Sequence, residues 1–120
     1  VSAEFEAAHR VAGYPGKCDR IHGHSWIVEA VVCGRQLDKL GMLVDFKLVK
    51  GRLKELLDNT MDHRMLNELP AFAGGKNPTA ENIAVYVWDK LADVLLCENY
   101  HLFEVEVWET QNNGCVYRGE

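Results

Sequence analysis

Hydrophobic and polar positions alternate along Val1–His9 and again from His22 to Cys33. Residues two apart project from the same side of a β-strand, so each alternation predicts a strand with one apolar face. The stretch between them, residues 10–21, is rich in glycine, proline and charged groups and predicts an irregular loop. The two strands should pair antiparallel, with the loop carrying Cys18 to their end.

The apolar spacing becomes helical from Phe46, where a stripe that runs to Leu57 faces away from several lysines. This predicts an amphipathic helix, followed by a long polar loop over residues 60–77. Thr79 is a suitable N-cap for a second helix, whose apolar residues recur at helical spacing from Ile83 to Leu95. We expect that helix to end near Cys97.

Alternation returns over residues 102–109, with Phe103, Val105, Val107 and Glu109 predicted on the inward face. An Asn-Asn-Gly turn signal then precedes a short fourth strand over residues 115–118. The order strand, strand, helix, helix, strand, strand predicts an α+β fold: a four-stranded antiparallel sheet with two helices on one face. We expect one domain over residues 1–120. The open sheet edges favour a homo-oligomer.

Composition narrows the function classes. Thirteen Lys and Arg against eighteen Asp and Glu give a formal charge of -5, which argues against a general nucleic-acid surface. No apolar run approaches the roughly 20 residues that span a bilayer, so we expect a soluble protein with a small-molecule partner. The four cysteines form no Cys-x-x-Cys pair, and reduced thiols in the cytoplasm are expected. The chain begins at Val1, and we expect a few residues to precede it.

Three histidines form the first candidate site. His22 and His24 are two apart and share one strand face, and strand pairing could bring His9 beside them. Three imidazoles with a vacant fourth position are typical of a catalytic zinc site, which polarises a substrate oxygen. The alternative is that they are core or surface histidines without a metal. His101, at the start of a predicted strand, is assigned no role.

Cys18 is the candidate catalytic thiol. It is flanked by Lys17 and by Asp19 and Arg20, and cationic neighbours favour the thiolate that acts as base or nucleophile. The alternative is a loop thiol without function. Arg10, Lys17 and Arg20 could also attract a phosphate group, although solvated surface charge explains them equally well.

Three acidic positions complete the candidates. In Asp62–His63 the carboxylate could orient the imidazole for proton transfer, or the pair could be an ordinary polar loop dipeptide. Glu109 continues an apolar row and needs a partner, either a ligand edge with two N–H donors or a structural hydrogen bond. Glu81 is explained by the dipole of the second helix, and ligand contact by Glu81 or Thr79 is a further possibility.

Together these segments resemble the 6-pyruvoyl-tetrahydropterin synthase family. The resemblance spans nearly the whole chain, in order, and the spacing from Cys18 to His22 is similar to that of the bacterial 6-carboxy-5,6,7,8-tetrahydropterin synthase branch. It rests on these segments: FEAAHR at 5–10, CDRIHGH at 18–24, DH at 62–63, NPTAEN at 77–82, ET at 109–110 and CVYRGE at 115–120.

The resemblance implies the tunnelling fold, in which subunits join their sheets into a barrel and form a hexamer from two trimers. It implies that His9, His22 and His24 bind Zn²⁺, and that Cys18 is catalytic with Asp62 and His63 as proton-transfer partners. It also implies that Glu109 anchors the pterin. The implied reaction converts 7,8-dihydroneopterin triphosphate to 6-carboxy-5,6,7,8-tetrahydropterin, releasing acetaldehyde and triphosphate, in queuosine and deazapurine biosynthesis.

Three alternatives remain open from sequence. The enzyme could form 6-pyruvoyl-tetrahydropterin or cleave the side chain of a related pterin such as sepiapterin at the same site. The chain could instead be a zinc- or pterin-binding module without catalysis, for which Cys18 and Asp62–His63 would be unnecessary. Finally, a metal could serve only to join the strands, with assembly as the real function.

Overall fold

The computed structural model describes all residues 1–120 and has an α+β fold. Its five strands form one sheet in the order β3-β1-β2-β4-β5, antiparallel throughout except that β3 runs parallel to β1. Neither helix has the length and apolar composition needed to cross a lipid bilayer. The elements are β1 (Ser2–His9), β2 (His22–Gly34), α1 (Phe46–Thr60), β3 (Arg64–Met65), α2 (Ala80–Leu91), β4 (Tyr100–Trp108) and β5 (Gly114–Tyr117).

The prediction of a four-stranded sheet was wrong by one strand, and so was the strict order of two strands, two helices and two strands. The additional strand β3 comes between α1 and α2 in the sequence, and it pairs with Ala7 and Ala8 at the free edge of β1. It is only two residues long, and two residues cannot show the alternation by which a strand is recognised in sequence. The edge of the sheet therefore lies where a loop was predicted.

The core lies between the helices and one sheet face. Alternate side chains of the strands pack against the apolar stripes of both helices, and Trp26, Leu53, Ile83 and Val105 are fully buried. His9 ends the buried row of β1 and is the one polar residue of the chain that is buried, with 1% of its surface exposed. The core thus extends directly into the candidate metal site.

Three local predictions need correction. Helix α2 is capped by the Thr79 side chain as predicted but ends at Leu91, short of Cys97. Phe46 begins α1 yet is 78% exposed, because the inward stripe starts one turn later at Val49. Phe103 points outward because the β2–β4 register shifts between Val31 and Val32, which inserts one extra residue into β4.

Candidate active site

Strand pairing assembles the three histidines. In the β1–β2 ladder His9 lies directly opposite His22, and Ala7 lies opposite His24. Directly opposed and diagonal residues on one sheet face are close neighbours, so His9 meets both other rings at the end of the ladder. The ring centroids of the three histidines are 4.5 to 5.3 Å apart. The spacing noted in sequence therefore becomes a cluster.

Backbone carbonyls fix the proton on two of the rings. Nδ1 of His9 lies 2.8 Å from the carbonyl oxygen of Pro78, and Nδ1 of His22 lies 2.7 Å from that of Arg20. A carbonyl oxygen only accepts hydrogen bonds, so in both rings Nδ1 carries the proton and donates. In the neutral rings Nε2 is then left with a free lone pair.

Those two lone pairs face each other. Nε2 of His9 and Nε2 of His22 are 3.0 Å apart, a separation at which two unprotonated nitrogens repel. A cation bound between them removes the repulsion and uses both lone pairs. Carbonyl partners on the far nitrogen of each ring are also the arrangement found behind metal-ligating histidines.

His24 and Glu109 complete the donor set. Nε2 of His24 is sealed from solvent and lies 3.0 Å from Oε1 of Glu109, but it makes no hydrogen bond of acceptable geometry. One donor atom each from His9, His22, His24 and Glu109 lies within 4.8 Å of all the others. Three imidazole nitrogens and one carboxylate oxygen suit a zinc ion well, so the residues present fit this metal.

Burial keeps two of the three histidines in the form that binds metal. Desolvation by burial is the main reason that the pKa of His9 and the pKa of His24 both lie below their ordinary value. The neighbouring Glu109 carboxylate opposes this effect without overcoming it. Both rings are therefore neutral near pH 7, as metal ligation requires.

A cavity of about 310 Å³ adjoins the histidine cluster and brings several predicted site residues together. Glu109 belongs both to its wall and to the donor group, so the cavity opens beside the candidate metal position. Among the other wall residues are Cys18, Tyr14, Thr79, Glu81 and Asn113. Cys18, Thr79, Glu81 and Glu109 thus share one space, as a ligand-binding function requires.

The loop that carries Cys18 is held by side-chain hydrogen bonds. Cys18 lies in a short 3₁₀ turn, Lys17–Asp19, and Arg10 binds both the carboxylate of Asp19, at 2.6 Å, and its carbonyl oxygen, at 2.9 Å. This guanidinium is therefore engaged in holding the turn, which is a structural use of one predicted phosphate-binding residue. Lys17 and Arg20 are exposed at the surface of the loop.

Asp62 and His63 lie outside the cavity that Cys18 lines. His63 lines a second cavity of about 540 Å³ beside β3, together with Glu6 and Ser25, and Cys18 lines no part of it. No hydrogen bond or ion pair joins Cys18 to either residue within the chain. The backbone N–H of Glu6 donates to Asp62 at 2.9 Å, and that of His63 donates to the Glu6 carbonyl oxygen. The pair is thus fixed to the free edge of β1.

Asp62 and His63 form an ion pair, with Oδ2 of Asp62 2.9 Å from Nδ1 of His63. This contact raises the pKa of the exposed His63 imidazole above its ordinary value. The pKa of Asp62 is lowered, mainly by the hydrogen bond from the Glu6 backbone N–H and secondly by the hydrogen bond with His63. The carboxylate thus favours the protonated ring. Any stability from the ion pair is therefore present between the two pKa values: it is lost as pH rises through the raised pKa of His63, and also as pH falls through the lowered pKa of Asp62.

We expect Asp62→Asn to lower the pKa of His63 towards its ordinary value, because the neutral amide no longer stabilises the imidazolium. NMR titration of the ring signals measures the change. Asp58→Asn removes a carboxylate of α1 that pairs with Lys54 instead, and should leave the titration of His63 as in wild type. An unchanged His63 titration in Asp62→Asn would show that the ion pair does not persist in solution.

Sequence reasoning missed the residues that position the site. The amides of Asn67 and Asn77 each exchange two hydrogen bonds with the backbone of the first loop, at Arg10 and at Ala12. Pro78 supplies the carbonyl partner of His9. From the sequence, Asn-Pro-Thr at 77–79 was interpreted as a helix start and as part of the family resemblance, and nothing in its pattern indicates that it reaches a loop more than sixty residues earlier.

Comparisons with known proteins show the family to which this chain belongs. The family model described as 6-pyruvoyl tetrahydropterin synthase matches residues 1–120. A 6-carboxy-5,6,7,8-tetrahydropterin synthase of Rickettsia typhi is 32% identical, with 91% of each chain covered. The human 6-pyruvoyl tetrahydrobiopterin synthase is 38% identical, covering 88% of this chain and 72% of that protein. The structure of the Caenorhabditis elegans 6-pyruvoyl tetrahydropterin synthase superimposes with a TM-score of 0.85 at 30% identity, covering 100% of this chain and 93% of that one. This chain belongs to the 6-pyruvoyl tetrahydropterin synthase family.

Proposed function

We propose that this chain is a zinc-dependent lyase acting on 7,8-dihydroneopterin triphosphate. With one water, the substrate yields 6-carboxy-5,6,7,8-tetrahydropterin, acetaldehyde and triphosphate. The observation that carries the proposal is that two features meet at Glu109: three converging imidazoles, two of which have a free Nε2 lone pair, and a cavity walled by Cys18 and Glu109. Curated relatives with this activity in their names, including that of Rickettsia typhi, support the choice of reaction.

In this proposal His9, His22 and His24 hold the zinc ion. Bound there, zinc supplies a Lewis acid that polarises side-chain oxygens of the pterin. Glu109 accepts hydrogen bonds from two N–H groups on the pterin edge, and this orients the side chain within the cavity. Cys18, on the opposite loop, removes or returns a proton at the side chain. Thr79 and Glu81 line the same space at the start of α2, and Lys17 and Arg20 are candidates for contact with the triphosphate.

Cys18 and Asp62–His63 lie in different parts of one chain, so their joint action would require that two copies of the chain meet. β3, two residues long, leaves most of the outer edge of β1 uncovered, and β5 forms the opposite edge of the sheet. We propose that copies of the chain join at these edges into a hexamer built from two trimers. Asp62 and His63, fixed to the β1 edge, would then serve as proton-transfer partners of Cys18 in a neighbouring copy.

The setting of the reaction is part of the same proposal. We place it in queuosine and deazapurine biosynthesis, in the cytoplasm, with residues 1–120 working as a single domain. The four cysteines are unpaired in the structure, which suits a reducing compartment.

Formation of 6-pyruvoyl-tetrahydropterin is the second candidate reaction. The observation that favours it is the 38% identity to the human synthase named for that product, which is no lower than the identity to the carboxy enzyme of Rickettsia typhi. The two reactions start from the same substrate and require the same pterin and metal contacts. Product chemistry, rather than site geometry, separates them.

Mass spectrometry of the products formed from 7,8-dihydroneopterin triphosphate tests the proposal. We expect 6-carboxy-tetrahydropterin and one equivalent of acetaldehyde, trapped as its hydrazone, for each triphosphate released. Release of triphosphate without acetaldehyde, with a product that retains all side-chain carbons, would identify the pyruvoyl reaction. Recovery of unchanged substrate from the zinc-loaded protein would contradict both and favour a binding module.

A further inference from the structure

Glu109 faces two tasks that one carboxylate cannot perform at once. Its Oε1 lies 3.0 Å from Nε2 of His24 and belongs to the group of four donor atoms that converge on the metal position. The same side chain lines the cavity beside Cys18 in which the pterin is proposed to bind. The carboxylate is therefore at the boundary between the metal site and the substrate site.

The strand ends make this position specific. In the β2–β4 ladder Ile27 pairs with Trp108, so Glu109, the next residue along, projects beside the inward row of β2 that contains Trp26 and His24. Its backbone N–H donates to the carbonyl oxygen of Asn113 across the turn into β5, at 3.0 Å. The backbone of Glu109 is thus fixed while its side chain remains 27% exposed. Side-chain rotation alone can direct the carboxylate to either site.

Bidentate binding excludes shared use. A planar ligand edge with two parallel N–H donors engages both oxygens of a carboxylate, in one plane and in one direction. In the structure one of those oxygens is directed at His24 instead, so the observed orientation is that of a metal ligand rather than of a pterin anchor. Neutral imidazoles contribute no charge, so a site with three of them and a Zn²⁺ ion has a net charge of about +2. An ionised carboxylate beside the ion lowers that net charge by one and stabilises the bound metal.

We propose that Glu109 is the fourth ligand of the zinc ion in the substrate-free protein and leaves the metal when a pterin binds. This inference rests on the proposed zinc site and pterin site. Pterin binding then vacates one coordination position at the moment when the substrate side chain arrives beside it. In the substrate-free protein the side chains would then fill all four coordination positions of the metal, and pterin binding frees the position that Glu109 occupied.

Zinc affinity gives the first test. Competition against a chromophoric chelator should show zinc binding weakened by at least about tenfold in Glu109→Gln, because a negatively charged coordinating oxygen is lost and loss of even an outer-shell partner has an effect of that size. Glu81→Gln is the matched control, since Glu81 lines the same cavity but lies outside the donor group. Its zinc affinity should equal that of wild type. Equal zinc affinities in Glu109→Gln and wild type would overturn the inference.

Coupling between the two ligands gives the second test. A pterin with hydrogen at C6 has no side-chain oxygen to offer the metal, so it reports only on Glu109. Saturating wild type with it should weaken zinc binding about tenfold, and zinc should weaken binding of this pterin by the same factor. In cobalt-substituted wild type the visible spectrum should change on pterin addition towards that of cobalt-loaded Glu109→Gln. Zinc affinity that is unchanged or raised by the pterin would overturn the exchange.

Failure of this inference is distinguishable from failure of the proposed function. If Glu109 never binds the metal, both tests give no change while wild type still releases acetaldehyde from its substrate. If the proposed function is wrong, acetaldehyde is absent whatever the zinc measurements show.

Discussion

We expect His22→Ala and His24→Ala each to lose the metal and the activity while remaining folded. Purified wild type should contain about one zinc per chain, and removal of one imidazole should weaken zinc binding by more than about 100-fold, beyond the loss typical of an outer-shell partner. Both residues are only partly buried, at the end of the β1–β2 ladder, and the core is formed by other residues. The fold should therefore survive the loss of either ring.

Metal analysis by mass spectrometry and far-UV circular dichroism measure the two parts of this prediction. His101→Ala is the matched control, because His101 is an exposed histidine on β4, away from the donor group, and its loss should leave the zinc content unchanged. Removal of zinc from wild type by a chelator should lower the melting temperature, because metal binding stabilises the folded state, but the protein should still unfold in one cooperative transition. Unfolding on mild chelation at 25 °C would instead indicate a structural metal.

The histidine cluster could be foreseen because its geometry is local. His22 and His24 share a face by the two-residue period of one strand, and a single hairpin-like pairing brings His9 opposite His22 and diagonal to His24. Both facts follow from the sequence pattern once two strands are accepted. The helix that begins after Thr79 was likewise predictable, because capping depends on neighbouring residues.

The remaining features depend on contacts distant in sequence. Strand β3 exists because Arg64 and Met65 find the free edge of β1, and no pattern within two residues shows this. The outward position of Phe103 depends on where the β2–β4 register shifts. The proximity of Glu109 to His24 requires the same register, so its place in the donor group was missed even though its inward orientation was predicted.

Asp62 and Cys18 illustrate the same limit at the candidate site. The resemblance implied that they act together, but one chain places Cys18 in the cavity beside Glu109 and Asp62 at the opposite sheet edge. Sequence carries the residue types of a site without saying which copy of the chain contributes each one. Their joint action therefore remains a proposal that depends on assembly.

The last prediction separates catalysis from metal binding at Cys18. We expect Cys18→Ala to lower kcat by about 10²–10⁴-fold, the contribution typical of a positioned proton-transfer group, while zinc content stays at the wild-type level. The thiol lines the cavity but lies outside the group of donor atoms, so its removal should not disturb the ion. Pterin binding should also persist, because Glu109 is unchanged.

Cys115→Ala is the control for Cys18→Ala. Cys115 lies on β5, where it is partly buried and packs against the hydrophobic core. This burial raises the pKa of its thiol. A raised pKa disfavours the thiolate, so its loss should leave kcat within about twofold of wild type. Steady-state kinetics and metal analysis on both variants decide the role of Cys18. Loss of zinc from Cys18→Ala would make the thiol a metal ligand, and full turnover would exclude it from catalysis. Retained zinc and pterin affinity with lost turnover is the combination expected of a thiol whose contribution is limited to moving the proton.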